Sequence, residues 1–178
     1  MKLSAPLLLA VLAFPVAPAL CAPLPTNADY DVGFSPGQGS LELILKEVRS
    51  ARASILVAAY SFTSKPIASA LLDASRRGVK VAVVADEKSN SRSYSAVSYL
   101  ANSGIPVRLN GHYAIFHHKF MVIDGATLET GSFNYTAAAA KSNAENVLLL
   151  RNVKPLAAHY TQEWRRLWDE ATPLGKSY

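Results

Sequence analysis

The sequence predicts an α/β domain: a mixed, largely parallel β-sheet flanked by helices on both faces. Three observations predict it. Ser54 to Tyr60 (SILVAAY) and Val79 to Ala85 (VKVAVVA) are near-continuous apolar runs, the composition of strands covered on both sides. Helical apolar spacing lies between these runs and gives a β-α-β alternation. In the second half, two short strand-like segments meet at Asp124-Gly125, a tight hairpin signal.

Taken in order, Tyr30 to Phe34 reads as a first strand and Ser35-Pro36-Gly37-Gln38-Gly39 as a turn. Ser40 is placed to cap a helix running to about Ala51, with Leu41, Ile44, Leu45 and Val48 on one face. Gly37-x-Gly39 is not a dinucleotide fingerprint, because Glu42 stands where that pattern needs glycine. After the strand at Ser54, Pro66 starts a second helix to Arg77 and Gly78 ends it. The strand from Val79 leads into a polar loop, Asp86 to Ser93. A third helix spans Tyr94 to Asn102, Gly104 closes it, and Ile105 to Leu109 is a further strand. Lys119 to Ile123 and Thr127 to Thr130 form the hairpin. Ala137 to Lys141 is one helical turn, Val147 to Arg151 a strand and Pro155 to Glu170 a closing amphipathic helix. Trp164 and Trp168, four apart on that helix, read as core packing.

The chain has 178 residues, 50% of them hydrophobic, which is enough for one domain with its own core. The division expected is 1–19 export signal, 20–29 linker, 30–172 catalytic domain and 173–178 tail. Lys2, the apolar run Leu7 to Phe14 and the small-x-small triplet Ala17-Pro18-Ala19 make the signal, with Ala22 the alternative cleavage point. Its apolar run is far short of the ~20 residues that span a bilayer, so export to the periplasm or medium is expected rather than stable membrane anchoring. Cys21 is the only cysteine, so no intrachain disulfide forms. The formal charge is +5, and Lys2 is the only charged residue before Asp29, so loss of the signal leaves +4. A basic excess favours polyanions.

The chemistry lies in one spacing, H-x-K-x4-D-x6-G-S-x-N, filled by His117, Lys119, Asp124, Gly131, Ser132 and Asn134. In an extended segment, residues two apart share a face, so His117 and Lys119 meet one ligand while His118 points the other way. A neutral imidazole attacks phosphorus and forms a phosphohistidine. The Lys119 ammonium, the Ser132 hydroxyl and the Asn134 amide suit non-bridging phosphate oxygens, and Gly131 allows close backbone approach. Asp124 either orients a catalytic group or shapes its own turn. Glu145 is a candidate to hold the other ring nitrogen of His117. Adjacent histidines without a Cys, Asp or Glu cluster are poor metal ligands, so no metal and no cofactor is expected.

These residues resemble the signature of the phospholipase D superfamily, and within it the small secreted bacterial nucleases with one copy of the motif. The resemblance runs from about Asp31 to Trp168. Tyr60-Ser61-Phe62-Thr63, Asn102-Ser103-Gly104-Ile105-Pro106 and Ser142-Asn143-Ala144-Glu145-Asn146 fit the same subgroup. It implies a phospholipase D-like α/β/α sandwich and a metal-independent phosphodiesterase working through phosphohistidine. It favours a structural Asp124 and supports Glu145 as the partner of His117. Larger members use two motif copies, one histidine attacking and the other serving as acid and then base. With one copy here, the resemblance implies a homodimer in which His117 of each subunit meets its mate. His112 and His159 are the only other histidines in a position to fill that role, and His159 reads as a surface or packing residue. The substrate expected first is nucleic acid, gripped by its backbone without regard to sequence, with Lys88-Ser89-Asn90-Ser91-Arg92 a candidate contact loop. A phospholipid-cleaving enzyme and a non-catalytic nucleic-acid-binding protein are the alternatives.

Overall fold

The computed structural model describes residues 21–37, 39–91 and 95–176. The expected export signal, Arg92 and the expected start of the third helix at Tyr94 lie outside them. The elements in chain order are β1 Asp29–Ser35, α1 Ser40–Ser50, β2 Ser54–Ala59, α2 Lys65–Arg76, β3 Lys80–Asp86, α3 Glu87–Asn90 and α4 Ala96–Asn102. They continue with β4 Val107–Asn110, β5 Lys119–Ile123, β6 Thr127–Gly131, α5 Ala137–Lys141, β7 Glu145–Arg151, α6 Lys154–Asp169 and β8 Thr172–Pro173. Asp29 and Pro173, placed by the sequence just outside the domain, are both strand residues, and the Leu174 amide donates to the Val107 carbonyl.

One eight-stranded sheet runs β1-β7-β6-β5-β2-β3-β4-β8. It is mixed and flanked by helices, as expected, but its parallel part is confined to β2, β3 and β4. The other neighbours, β1–β7, β7–β6, β6–β5, β5–β2 and β4–β8, are antiparallel. The cause is the length of the connections. Helical crossovers join β2 to β3 to β4 and return the chain in the same direction. The turn between β5 and β6 is too short for anything but reversal.

Strand alternation divides the core in two. Ile55, Val57, Val83, Met121 and Val147 pack beneath α1, α2, α4 and α5. Ala58, Val84, Phe120, Val122 and Leu128 pack against α6. Trp164 and Trp168 stack with centroids 4.8 Å apart, and the buried Trp164 indole donates to the Val57 carbonyl, so both serve packing. The helix starts follow local chemistry: Ser64, Ser95 and Thr136 cap α2, α4 and α5 through their hydroxyls. At α1 the expectation is corrected. Gly39, at φ 85°, occupies the cap position and Ser40 is already helical. Gly33 is required where α1 crosses β1, because a Cβ there would stand 2.9 Å from the Ser40 Cα.

Candidate active site

The site forms where the ends of β2, β5, β6 and β7 meet. β5 starts at Lys119 and pairs it with Ala59 at the end of β2. The Tyr60 amide then donates to the His118 carbonyl, holding His117 beside the β2 end. Gly131 ends β6 opposite Val147, and a Cβ at Gly131 would collide with the Asn146 carbonyl, so glycine is needed there. Past Gly131 the chain bends at Ser132. Phe133 and Tyr135 are buried, Ser132 is exposed and Asn134 is half-buried. The sequence spacing thus becomes a cluster of His117, Lys119, Ser132, Glu145 and Asn146.

His117, Lys119 and Gly131 line a cleft of about 470 Å³. The Lys119 side chain is 8% exposed, and its ammonium donates to the His117 carbonyl at 2.9 Å. Burial pushes the ammonium below its ordinary pKa, while Glu145 pulls it back up. Tyr60, which the sequence reading quoted only within Tyr60-Ser61-Phe62-Thr63 and gave no role, lies against both His117 and Lys119. Its ring lies 4.7 Å from the His117 ring and 5.0 Å from the Lys119 Nζ. Its position one residue past a buried strand was the available signal.

Glu145 is in the cluster but not in the role expected. Its hydrogen bonds come from the Ser132 hydroxyl at 2.6 Å and the Asn143 amide at 3.0 Å, and none joins it to His117. It opens β7, so its backbone register opposite Ser35 aims it across the strand end at Ser132. Ser132 in turn accepts from the Asn146 amide at 3.0 Å. Its proton is therefore committed to Glu145 rather than left free for a phosphate. The Asn134 Oδ1 is buried with no hydrogen-bond partner among the described residues.

Asp124 is not brought to the cluster. It sits at the far end of β5, about 16 Å from Lys119 at about 3.3 Å per strand residue. Its carboxylate accepts from the backbone amides of Arg52, Ala53 and Ser54 at 2.9, 2.7 and 2.9 Å. Partial burial acts to raise its pKa, but those three donors prevail and hold it below the usual value. Its φ of 52° completes the turn with Gly125. A reacting role for Asp124 is thus set aside in favour of the turn.

His118 lines the same cleft as His117, on its α6 side. Its ring stands edge-on to Phe116 and Phe120, and its Nε2 is 3.8 Å from Glu163. Burial pushes the imidazole below its ordinary pKa, against the pull of Glu163. His159, which the sequence placed on the surface or in packing, lines the same cleft as His117. The segment from Lys88 is not a simple loop: Lys88 to Asn90 belong to α3, and the Lys88 ammonium donates to the Ala114 carbonyl. Asn90 is buried and holds Tyr60 and Phe62 by their backbones. Asp86, also buried, accepts from the Phe116 amide and so fixes the segment that delivers His117. Among the described residues no group of three or more His, Cys, Asp or Glu could hold a metal. No helix among them is long and apolar enough to cross a membrane.

A mixed sheet with helices on both faces and a His-x-Lys and Gly-Ser-x-Asn pair at its strand ends defines a phospholipase D-like domain. The family description "Cardiolipin synthase, PLD-like domain" matches residues 44–168. The chain belongs to the phospholipase D superfamily of phosphodiester hydrolases. It is similar to Nuc, a phospholipase D family member from Salmonella typhimurium. There the identity is 39%, the TM-score is 0.81, and 84% of this chain and 99% of that one are covered. It is 37% identical over 131 residues to a phospholipase D of Rickettsia bellii, covering 74% of this chain and 65% of the relative. It is 33% identical to a mitochondrial cardiolipin hydrolase of Canis lupus familiaris, covering 77% of this chain and 54% of the relative. The chain therefore spans less than two thirds of the length of these two relatives.

Proposed function

We propose that this protein is a metal-independent endonuclease that hydrolyses nucleic acid through a phosphohistidine. The observation that carries the reading is the desolvated Lys119 ammonium beside His117 in an open cleft, a cation placed for a phosphodiester. A neutral His117 ring nitrogen attacks phosphorus and the P–O bond to the leaving oxygen breaks. The leaving alkoxide takes a proton from a second imidazole. Water then attacks the phosphohistidine, gives its proton to that same imidazole, and frees His117. Lys119 offsets the charge that grows on the non-bridging oxygens. The charge of +5 and the likeness to Nuc favour nucleic acid, gripped mainly by phosphate.

The second imidazole comes from His117 of another copy, in a two-fold homodimer. A surface for that copy is at hand. Tyr30, Val32 and Phe34 on the edge strand β1 are 69%, 45% and 50% exposed, and they share one face of the sheet with half-buried Leu148. The stripe runs to the site, since Phe34 pairs with Asn146. Export of the mature chain and the domain limits given above belong to the same proposal.

The relatives named phospholipase D and cardiolipin hydrolase favour a second reading, in which the stripe meets lipid and the substrate is a phospholipid. Plasmid DNA and cardiolipin vesicles, each incubated with the protein in excess EDTA, separate the two. Cleavage of the plasmid alone supports the nuclease. Cleavage of the vesicles alone supports the lipid reading. Plasmid binding without cleavage would make the protein a binder, and loss of cleavage in EDTA would overturn the metal-free route.

A further inference from the structure

Beneath the cluster lies a buried polar pair that the chemistry above does not use. Glu129, in the middle of β6, is 1% exposed, and Tyr135 is fully buried. The Tyr135 hydroxyl donates to Glu129 Oε2 at 2.7 Å, while Glu129 Oε1 has no partner among the described residues. A carboxyl in the middle of a strand, opposite Met121 on β5 and Leu149 on β7, is costly to bury and contributes nothing to packing that leucine would not. Its carboxyl makes one hydrogen bond among the described residues, and that bond leads to the site.

Tyr135 follows Asn134 directly. Its carbonyl accepts the amides of Thr63 at 2.9 Å and Ser64 at 2.8 Å. Its ring stands edge-on to Phe62, with centroids 5.5 Å apart. One residue thus ties the segment after β2, which carries Tyr60, to the segment after β6, which carries Ser132 and Asn134. Glu129 is what holds the ring end of that residue. We propose that Glu129 is a positioning residue: through Tyr135 it sets the placement of Tyr60, beside His117 and Lys119, and of the Ser132 to Asn134 segment. This rests on the phosphodiesterase reading for its consequence, but not for its geometry.

The charge state suits the role. Burial raises the Glu129 carboxyl to about 8, against the lowering effect of the Tyr135 hydroxyl, so the group is neutral at pH 7. The charged residues that share its sheet face are Lys119 heading β5, Glu145 and Arg151 at the two ends of β7, and Asp29 and Asp31 on β1. Arg151 is occupied by Asp29, Asp31 and Glu47. A neutral carboxyl is closely imitated by an amide, which gives a conservative control.

The test compares Glu129→Gln, Glu129→Leu and Tyr135→Phe. It measures kcat and KM on bis(4-nitrophenyl) phosphate well below the melting temperature, together with hydrogen exchange at the Thr63 and Ser64 amides. Glu129→Gln keeps an acceptor for Tyr135 and should stay within about threefold of wild type. Tyr135→Phe deletes one oxygen and should lower kcat by about tenfold or more, with KM little changed, because the lost alignment matters most as charge develops. The Thr63 and Ser64 amides should exchange faster in it. Glu129→Leu should match Tyr135→Phe; should it fail to fold, Tyr135→Phe alone decides. Wild-type kcat and wild-type exchange in Tyr135→Phe would overturn the proposal, as would a Glu129→Gln loss equal to that of Tyr135→Phe. An inactive wild type would sink the phosphodiesterase reading instead, and exchange at Thr63 and Ser64 would still decide this one.

Discussion

Replacing Asp124 by alanine should cost stability and spare catalysis. Three backbone amides, those of Arg52, Ala53 and Ser54, end on this one carboxylate. A hydrogen bond to a charged group is worth about 1.5–3 kcal/mol, but Asp124 is exposed and its three donors share two oxygens, so the net loss should be about 2–4 kcal/mol. Alanine at φ 52° adds about 1 kcal/mol of backbone strain. For a domain of this size that total is a drop of about 6–20 °C in Tm. Asp124→Asn keeps an acceptor and a side chain that tolerates the left-handed conformation, and should lose about half as much. The carboxylate is held below its usual pKa in the fold, so the stability it contributes is present above about pH 4 and is lost as pH falls through the folded value. The gap in Tm between wild type and Asp124→Asn should therefore narrow in acid. Scanning calorimetry from pH 3 to 7, with kcat measured at 15 °C, checks each point. A folded Asp124→Ala enzyme that loses a hundredfold in kcat, or one with unchanged Tm, would refute the assignment.

Three further outcomes are expected. His117→Ala should abolish turnover and leave the Tm within a degree or two, and refolded mixtures with wild type should lose activity more steeply than the wild-type fraction falls; a linear decline would rule out a shared site. Glu129 is raised to about 8 by burial, so its contribution to stability is complete below the unfolded carboxyl value and is lost as pH rises through about 8; relative to Glu129→Gln, wild-type stability should fall by at most about 1.4 kcal/mol per pH unit over that window, read from urea midpoints, and parallel curves would contradict it. Glu145 raises the pKa of Lys119, so Glu145→Gln should move the alkaline limb of kcat/KM to lower pH, whereas an unmoved limb would mean that the two groups do not interact.

Most strands and helices were legible because they announce themselves locally, whereas α3 lay within an expected loop and β8 was not foreseen. β2 and β3 are apolar runs, α2 carries Pro66 at its start, and Asp124-Gly125 turns the chain. Strand order was not legible in the same way. β7 inserts between β1 and β6, so that the first strand of the chain pairs with a segment more than a hundred residues later, and no local pattern encodes such a partner. The cluster of His117, Lys119 and Ser132 followed from spacing by two along extended chain. The buried polar residues that hold it did not follow. Asp86 and Asn90 sit in a stretch whose polarity reads as a solvated loop, yet both are buried and bonded to the backbone of the site segments. Glu129 lies between apolar strand neighbours with nothing nearby in sequence to mark its partner, Tyr135.

Glu145 shows why residue type and spacing do not fix a role. A carboxylate on an imidazole nitrogen makes a histidine orienter, and the resemblance to the small nucleases pointed to Glu145 for that role. The fold instead places that carboxylate over Ser132 and within the field of Lys119. Burial lowers the pKa of the ammonium, and Glu145 acts against that lowering. Its own charge would repel the substrate were it bare, but the Ser132 hydroxyl and the Asn143 amide both donate to it and spread that charge. An arriving phosphate can then take over as the partner of Lys119 without displacing a direct ion pair, since Lys119 itself is bonded to the His117 carbonyl and not to Glu145. The carboxylate thus acts on Lys119 at a distance, raising its pKa without a direct hydrogen bond to it.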